Sequence, residues 1–164
     1  MDLLPTGASM KKHYIFLMLL FSAAYAGIVF SDSNLLTKRE QVLHQYVYFM
    51  GKEDIKSIIF LFSKNAQVIS SSGQVSPPIT FYTRLFKELI TNPKSHLITS
   101  FYSATNSNVM VLYFDFSWKN KQGEKQEAPF LDLVEFAPNS TKIKSLAVFS
   151  GRFKIETMLQ LHGP

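Results

Sequence analysis

The sequence contains no cysteine, which excludes a disulfide framework and any thiolate-bound metal. Charge is scarce. Charged residues make up 18% of the 164 positions against 46% hydrophobic, too few for a disordered tail or a charge-rich coiled coil. The four histidines, His13, His44, His96 and His162, show no paired-ligand spacing, so a histidine-based metal site is not expected. The net charge of +5 comes from basic residues spread along the chain, and charge alone does not point to nucleic acid. No internal repeat and no Pro/Gly-rich linker divides the sequence, and its length suits one domain. What the chain has in plenty is aromatic side chains: Phe 15 and Tyr 7.

The N-terminal stretch reads as a targeting segment. Lys11 and Lys12 precede the apolar run Tyr14–Phe21, and small residues follow up to Ala24-Tyr25-Ala26. A basic start, a short apolar core and an A-x-A site describe a secretory signal peptide over 1–26. The competing reading is a retained anchor, because apolar character continues to Phe30. That length is at the short limit for a span of ~20 residues. Either way, the expected location is secreted or periplasmic, with a membrane attachment by residues 14–30 if cleavage fails. The expected organisation is a short linker at 27–34, a folded domain at 35–152 and a C-terminal tail at 153–164.

Helical signals come first in the domain. Thr37 and Glu40 have the spacing of a capping box, and Val42, Leu43, Tyr46, Val47 and Met50 form a 3.6-period stripe that Gly51 ends. A second helix is expected from Glu53-Asp54, where acidic groups suit the positive helix end. Its stripe is Ile55, Ile58, Ile59 and Phe62. A short strand at 66–70 and a polar turn at 71–78 follow. A third helix is expected over 79–90, with Tyr82, Leu85, Phe86 and Leu89 on one side and Asn92-Pro93 ending it. Strands are expected at 96–104, 109–119, 126–136 and 142–150, with a hairpin signal at Asn120–Gly123. Helices followed by a meander of long strands imply an α+β fold, with helices on one face of a curved antiparallel sheet.

Alternation separates the strand faces. One face of the second long strand carries Met110, Leu112, Phe114, Phe116 and Trp118. One face of the next carries Ala128, Phe130, Asp132, Val134 and Phe136. Asp132 is the odd residue on an apolar face. A buried carboxylate is costly unless it is paired, protonated or in a wet pocket, and pairing with a neighbouring lysine is the plain alternative to a pocket role. Tyr46, on an apolar helix face, is ordinarily core. His44 falls off its helix stripe, and His96 could line a cavity mouth. Lys119–Lys125 reads as a solvated hairpin tip, and Asn139-Ser140-Thr141 has the glycosylation acceptor pattern.

The order of these elements over 35–150 resembles the nuclear-transport-factor-2-like superfamily, which includes ketosteroid isomerases and SnoaL-like polyketide cyclases. The resemblance rests on Gln45–Val47, Gly51–Ile55, Ile58–Val68, Ala128–Asp132 and Lys142–Leu146. It implies a cone-shaped α+β fold, a curved antiparallel sheet with three helices on its concave side. In ketosteroid isomerases a tyrosine and a protonated aspartic acid form the oxyanion hole, a case the general theory of tuned pKa values already uses. By resemblance these fall at Tyr46 and Asp132. The family's general base falls at Ser70, and serine accepts no proton at neutral pH without a base of its own.

The expectation is therefore an exported domain that binds a small apolar or amphipathic molecule without catalysis. The pocket would be lined by Tyr46, Phe62, Tyr82, Phe86, Phe114, Phe116, Trp118, Phe130 and Asp132. No cofactor, no metal and no nucleic acid is expected. The alternatives are an isomerase or cyclase using Asp132 and Tyr46, and an interaction module that dimerises through its sheet, with Val109, Val111 and Tyr113 on the facing side.

Overall fold

The computed structural model describes residues 34–89 and 91–150. The expected signal segment, most of the linker and the C-terminal tail lie outside the described residues. The chain divides into two compact units, Met1–Thr37 and Lys38–Pro164, and apart from the first residues of helix α1 the fold below is that of the second.

Helix α1 runs over 34–50. It already includes Thr37, so the capping box expected there does not start it. Leu43, Tyr46, Val47 and Met50 are buried as the stripe predicts. Gly51 follows, and its lack of a side chain answers a packing need: an added Cβ would sit 2.5 Å from Ser95 Oγ. The left-handed residue of this turn is Glu53, at φ 55°. Helix α2 (Ile55–Phe60) is capped by Asp54, whose carboxylate accepts from Ser57 N at 3.0 Å. Hydrogen bonding to the Ser57 side chain, and next to its backbone N–H, holds Asp54 below the usual carboxylate pKa.

Phe62 does not extend the α2 stripe. It opens strand β1 (Phe62–Ile69), which therefore starts four residues earlier than expected. Phe62, Ala66 and Val68 point inward. The polar turn carries a two-residue strand β2 (Val75–Ser76). Helix α3 (Pro78–Arg84) continues into a wider π-type turn at Leu85–Leu89. Strand β3 (Thr91–Tyr102) begins five residues before the expected start and contains Asn92-Pro93. Proline is tolerated there because β3 is an edge strand and its register shifts between Thr91 and Lys94, which leaves no ladder bond for the missing N–H to make. Strands β4 (Val109–Lys119), β5 (Lys125–Phe136) and β6 (Ile143–Ser150) complete the set.

The result is a curved six-stranded sheet of order β2-β1-β6-β5-β4-β3. Strands β3 to β6 form an antiparallel meander. One pairing departs from the expected antiparallel sheet: β1 runs parallel to β6, with Val68 opposite Leu146. The two strands meet only after the whole meander has been laid down, so no hairpin dictates their direction. Register shifts in β1, β3 and β5 help bend the sheet around its apolar face. That face carries Met110, Leu112, Phe114, Phe116, Val134 and Phe136, all buried.

One buried side chain fell outside the sequence expectations. Arg39 is 1% exposed, on the α1 stripe one turn before Leu43. Its guanidinium donates to Ser140 O at 2.9 Å, Ser107 O at 2.8 Å, Asn108 Oδ1 at 3.0 Å and Ala137 O at 3.1 Å. It also lies 5.1 Å over the Phe136 ring. One fork thus ties the β3–β4 turn to the β5–β6 turn. Arg39→Met keeps most of the volume but strands those buried acceptors. It should lower unfolding free energy by about 2–4 kcal/mol, read by chemical denaturation, and Arg39→Lys should recover only part of the loss because an ammonium cannot make the same fork.

Candidate functional site

The β4–β5 pairing sets the site. Leu112 lies opposite Asp132, Phe114 opposite Phe130 and Phe116 opposite Ala128. The small Ala128 leaves room for Phe130 to lean between the β4 rings. Phe130 stacks on Phe114 at 5.7 Å and meets Phe116 edge-on at 5.7 Å and Trp118 at 6.2 Å. From α1, Tyr46 sets its ring edge-on against Phe114 at 6.4 Å and Tyr82 at 6.3 Å. These geometries suit the ring quadrupoles.

Polar atoms then form a short chain through this apolar packing. Tyr82 Oη donates to Tyr46 Oη at 3.1 Å, and Tyr46 Oη donates to Asp132 Oδ2 at 3.1 Å. Both rings and the carboxyl are buried, with Asp132 1% exposed. Among the described residues no lysine pairs with Asp132. The ion pairs on this strand are made by Glu135 with Lys144 at 2.8 Å and by Glu127 with Lys125 at 3.3 Å. Asp132 Oδ1 is a buried side-chain atom with no hydrogen-bond partner.

Burial pushes the Asp132 pKa up to about 7, although the Tyr46 hydrogen bond opposes the shift. Burial also raises Tyr46 and Tyr82 above the ordinary tyrosine value, so both phenols stay protonated and serve as donors. Asp132 is thus poised between two states near neutral pH. Protonated, the carboxyl group can donate into the space that Asp132 borders; ionised, it can accept.

That space is a chamber of about 50 Å³ bordered by Tyr46, Phe114, Phe116, Phe130 and Asp132, together with Met50, Phe81, Leu85 and Val148. Five of the nine expected lining residues therefore border it. Phe62, Tyr82 and Phe86 are core instead: Tyr82 acts through Tyr46, and Phe62 and Phe86 pack on the Tyr82 ring at 6.0 and 6.4 Å. Trp118 stacks on Phe116 at 5.6 Å without bordering the chamber. Sequence reasoning missed Met50, Phe81, Leu85 and Val148. Met50 was on the α1 stripe, and Leu85 was on the α3 stripe, so a signal existed for both. The π-type turn after Arg84 rotates the following residues away from an α-helical prediction.

Outside the chamber lies a cleft of about 330 Å³ that includes Ser70, Ser72, Gln74 and Arg84. Ser70 belongs to this cleft, where its hydroxyl lies 2.9 Å from Ser72 Oγ and accepts from Gln74 N at 3.1 Å. His96 does not line the mouth. It is exposed and lies with His44 and Glu40 along a separate groove between α1 and β3. A wider concavity, about 790 Å³, is an open groove beside Phe49 and Phe60, and among the described residues none of those lining it has an orphaned buried side-chain atom. Among the described residues no three His, Asp or Glu side chains form a metal-binding group.

No protein-family model matches the sequence, and no curated protein matches it. Solved structures do match in shape. A protein of ketosteroid-isomerase-like fold from Catenulispora acidiphila, solved with trimethylamine, superposes with a TM-score of 0.57 at 10% identity over 66% of this chain and 83% of its own. A SnoaL-like, polyketide-cyclase-type protein from Shewanella denitrificans gives 0.56 at 12% identity over 76% and 98%. A nuclear-transport-factor-2-like protein from an Exiguobacterium species gives 0.58 at 18% identity over 68% and 99%. The chain thus has the nuclear-transport-factor-2-like fold, shared with ketosteroid-isomerase-like and SnoaL-like proteins.

The raised Asp132 pKa carries a stability consequence. Its folded value lies above its unfolded one, so stability is full below the unfolded value of 3.8 and is lost as pH rises toward about 7. Asp132→Asn removes that dependence. It should match the wild type in acid and exceed it at neutral pH by roughly 2–4 kcal/mol, measured by denaturant melts across this range. A variant less stable than the wild type at neutral pH would mean the carboxylate is favourably paired.

Proposed function

We propose that this domain is an exported, non-catalytic small-molecule-binding protein whose ligand is held by Asp132 in an aromatic chamber. The observation that carries the reading is the orphaned Oδ1: a buried oxygen without a partner, on a carboxyl group that borders a space lined by Phe side chains. A buried polar atom without a partner costs free energy, and a ligand that supplies one recovers it. Ligand sites typically combine such an apolar lining with few polar anchors. The basic N-terminal start and the A-x-A site support export.

The alternative of an isomerase or cyclase has less support. The residues bordering chamber and cleft include one carboxylate, Asp132. Proton transfer from one carbon to another by the ketosteroid route uses a base as well as an oxyanion hole, and Ser70 offers none. Wild-type protein should show no ketosteroid isomerisation in a spectrophotometric assay. Ser70→Asp, which points a carboxylate into the cleft, is the variant that tests whether the remaining site can gain a trace of it. Robust wild-type turnover would overturn the binding reading. Mass spectrometry of small molecules released from natively purified protein should find a bound amphipathic compound, lost in Asp132→Leu.

A second reading concerns the outer face of the sheet, which we propose pairs two copies of the chain. Phe101, Val111, Leu133 and Ala147 form one row across four strands, and Phe149 stands in the next. Phe101 and Phe149 are each 46% exposed and Leu133 is 40% exposed, and a continuous apolar face of this kind favours a partner over water. Light scattering should give twice the chain mass, and Leu133→Lys should give a folded monomer.

A further inference from the structure

Asp132 Oδ1 lacks a hydrogen-bond partner, and its carboxyl group borders a chamber of about 50 Å³. A water is the simplest candidate partner, but a well-held buried water needs roughly two to four polar contacts. Apart from Asp132, the one polar side chain in the described lining is Tyr46. Tyr46 Oη is already engaged, donating to Asp132 Oδ2 and accepting from Tyr82 Oη. A water beside Asp132 therefore meets one strong partner and apolar walls, and gives way readily to an organic group.

Two features select the chemistry of that group. The first is the direction of the hydrogen-bond chain. Tyr82 donates to Tyr46 and Tyr46 to Asp132, so the chain ends on an acceptor and supports the ionised carboxylate. The second is the wall, bordered by the rings of Tyr46, Phe114, Phe116 and Phe130. A space of about 50 Å³ is only ~5 Å across, so an ion near its centre lies within the roughly 6 Å over which an aromatic ring attracts a cation. A neutral hydroxyl would satisfy the carboxyl group and gain nothing from the rings. A protonated amine satisfies both, through a charge-assisted hydrogen bond to the carboxylate and through its charge among the rings. Phe81, Leu85, Phe130 and Val148 border both the chamber and the outer cleft, an apolar passage that suits an alkyl group on the nitrogen.

We propose that the chamber is a site for the ammonium head of a protonated alkylamine, which donates to Asp132 and lies among the four rings with its alkyl chain along the passage to the cleft. This names the ligand class for the binding reading above and rests on it.

The test is calorimetry on the full chain with n-alkylammonium ions from methyl to hexyl, the 1-alkanols of equal length and the matching alkyltrimethylammonium ions, with the Asp132 carboxyl carbon followed by NMR. At the best-fitting length and mildly alkaline pH, the amine should bind roughly two- to thirtyfold tighter than the alcohol, the range of a cation–π contact. That advantage should fall as pH drops through about 7, where Asp132 takes up its proton. Burial keeps Tyr46 on α1 and Tyr82 on α3 from titrating there, and the positions opposite Asp132 on β4 and β6, Leu112 and Val148, carry no charge. Bound amine should hold the Asp132 carbon in its ionised state to lower pH. Asp132→Asn should remove the advantage over the alcohol, and the quaternary ions, which have no N–H to donate, should bind more weakly than the primary amines. Alcohols that bind as tightly as amines, an amine advantage that survives in Asp132→Asn, or quaternary ions that bind best would each overturn the proposal and leave the chamber reading standing. If neither amines nor alcohols bind, the chamber reading falls with it.

Discussion

The hydrogen bond from Tyr46 to Asp132 is the constraint around which the interior is arranged. It joins α1 to β5, and the Tyr82 bond that supports it brings in α3. Three elements distant in sequence must hold their places for it to form. Hydrogen bonds of this kind contribute only ~1 kcal/mol each, whereas burying a carboxyl group costs more than that. The arrangement therefore does not exist to stabilise the apo protein. A group kept at a cost to stability, with one oxygen unsatisfied, is the pattern expected of a site. The Arg39 fork is the opposite case. Four acceptors meet its donors, and its effect is to close two turns of the sheet over α1.

The abundance of aromatic rings shapes the chamber by filling it. Phe114, Phe116, Phe130 and Trp118 contact one another in a single cluster, which leaves a narrow space rather than a broad cone. Solved proteins that share the fold include ones of ketosteroid-isomerase-like and SnoaL-like type, but shared fold does not transfer chemistry. Ser70, where the resemblance to ketosteroid isomerases implies a base, is seated in a turn and hydrogen-bonded within it.

The sequence made the sheet interior legible because its side-chain period is two. The limits of β4, the inward faces of β4 and β5, and the anomaly of Asp132 all followed from alternation. Tyr82 was on the α3 stripe, but its relay to Tyr46 required knowing how α3 crosses α1. The parallel β1–β6 pairing was not legible, since no local turn encodes it. Phe62 misled because an apolar residue seven positions after Ile55 fits a helical period, while the helix in fact ends at Phe60. Pro93 suggested a break where an edge strand had room for it. Arg39 sat at a helical position of the stripe, but arginine is so rarely buried that the pattern did not reveal it.

The central claim is that Asp132 is a desolvated carboxyl group facing a site, and its own titration tests this most directly. Carbon-13 NMR of the aspartate carboxyl carbons, with Asp132 assigned by its loss in Asp132→Asn, reports the pKa without any assumption about ligand. The account predicts a midpoint near 7, where burial has pushed it, with Tyr46→Phe moving it higher because the one opposing hydrogen bond is gone. A midpoint at or below the ordinary aspartate value of 3.8 would mean that Asp132 is solvated or ion-paired, and would contradict the account.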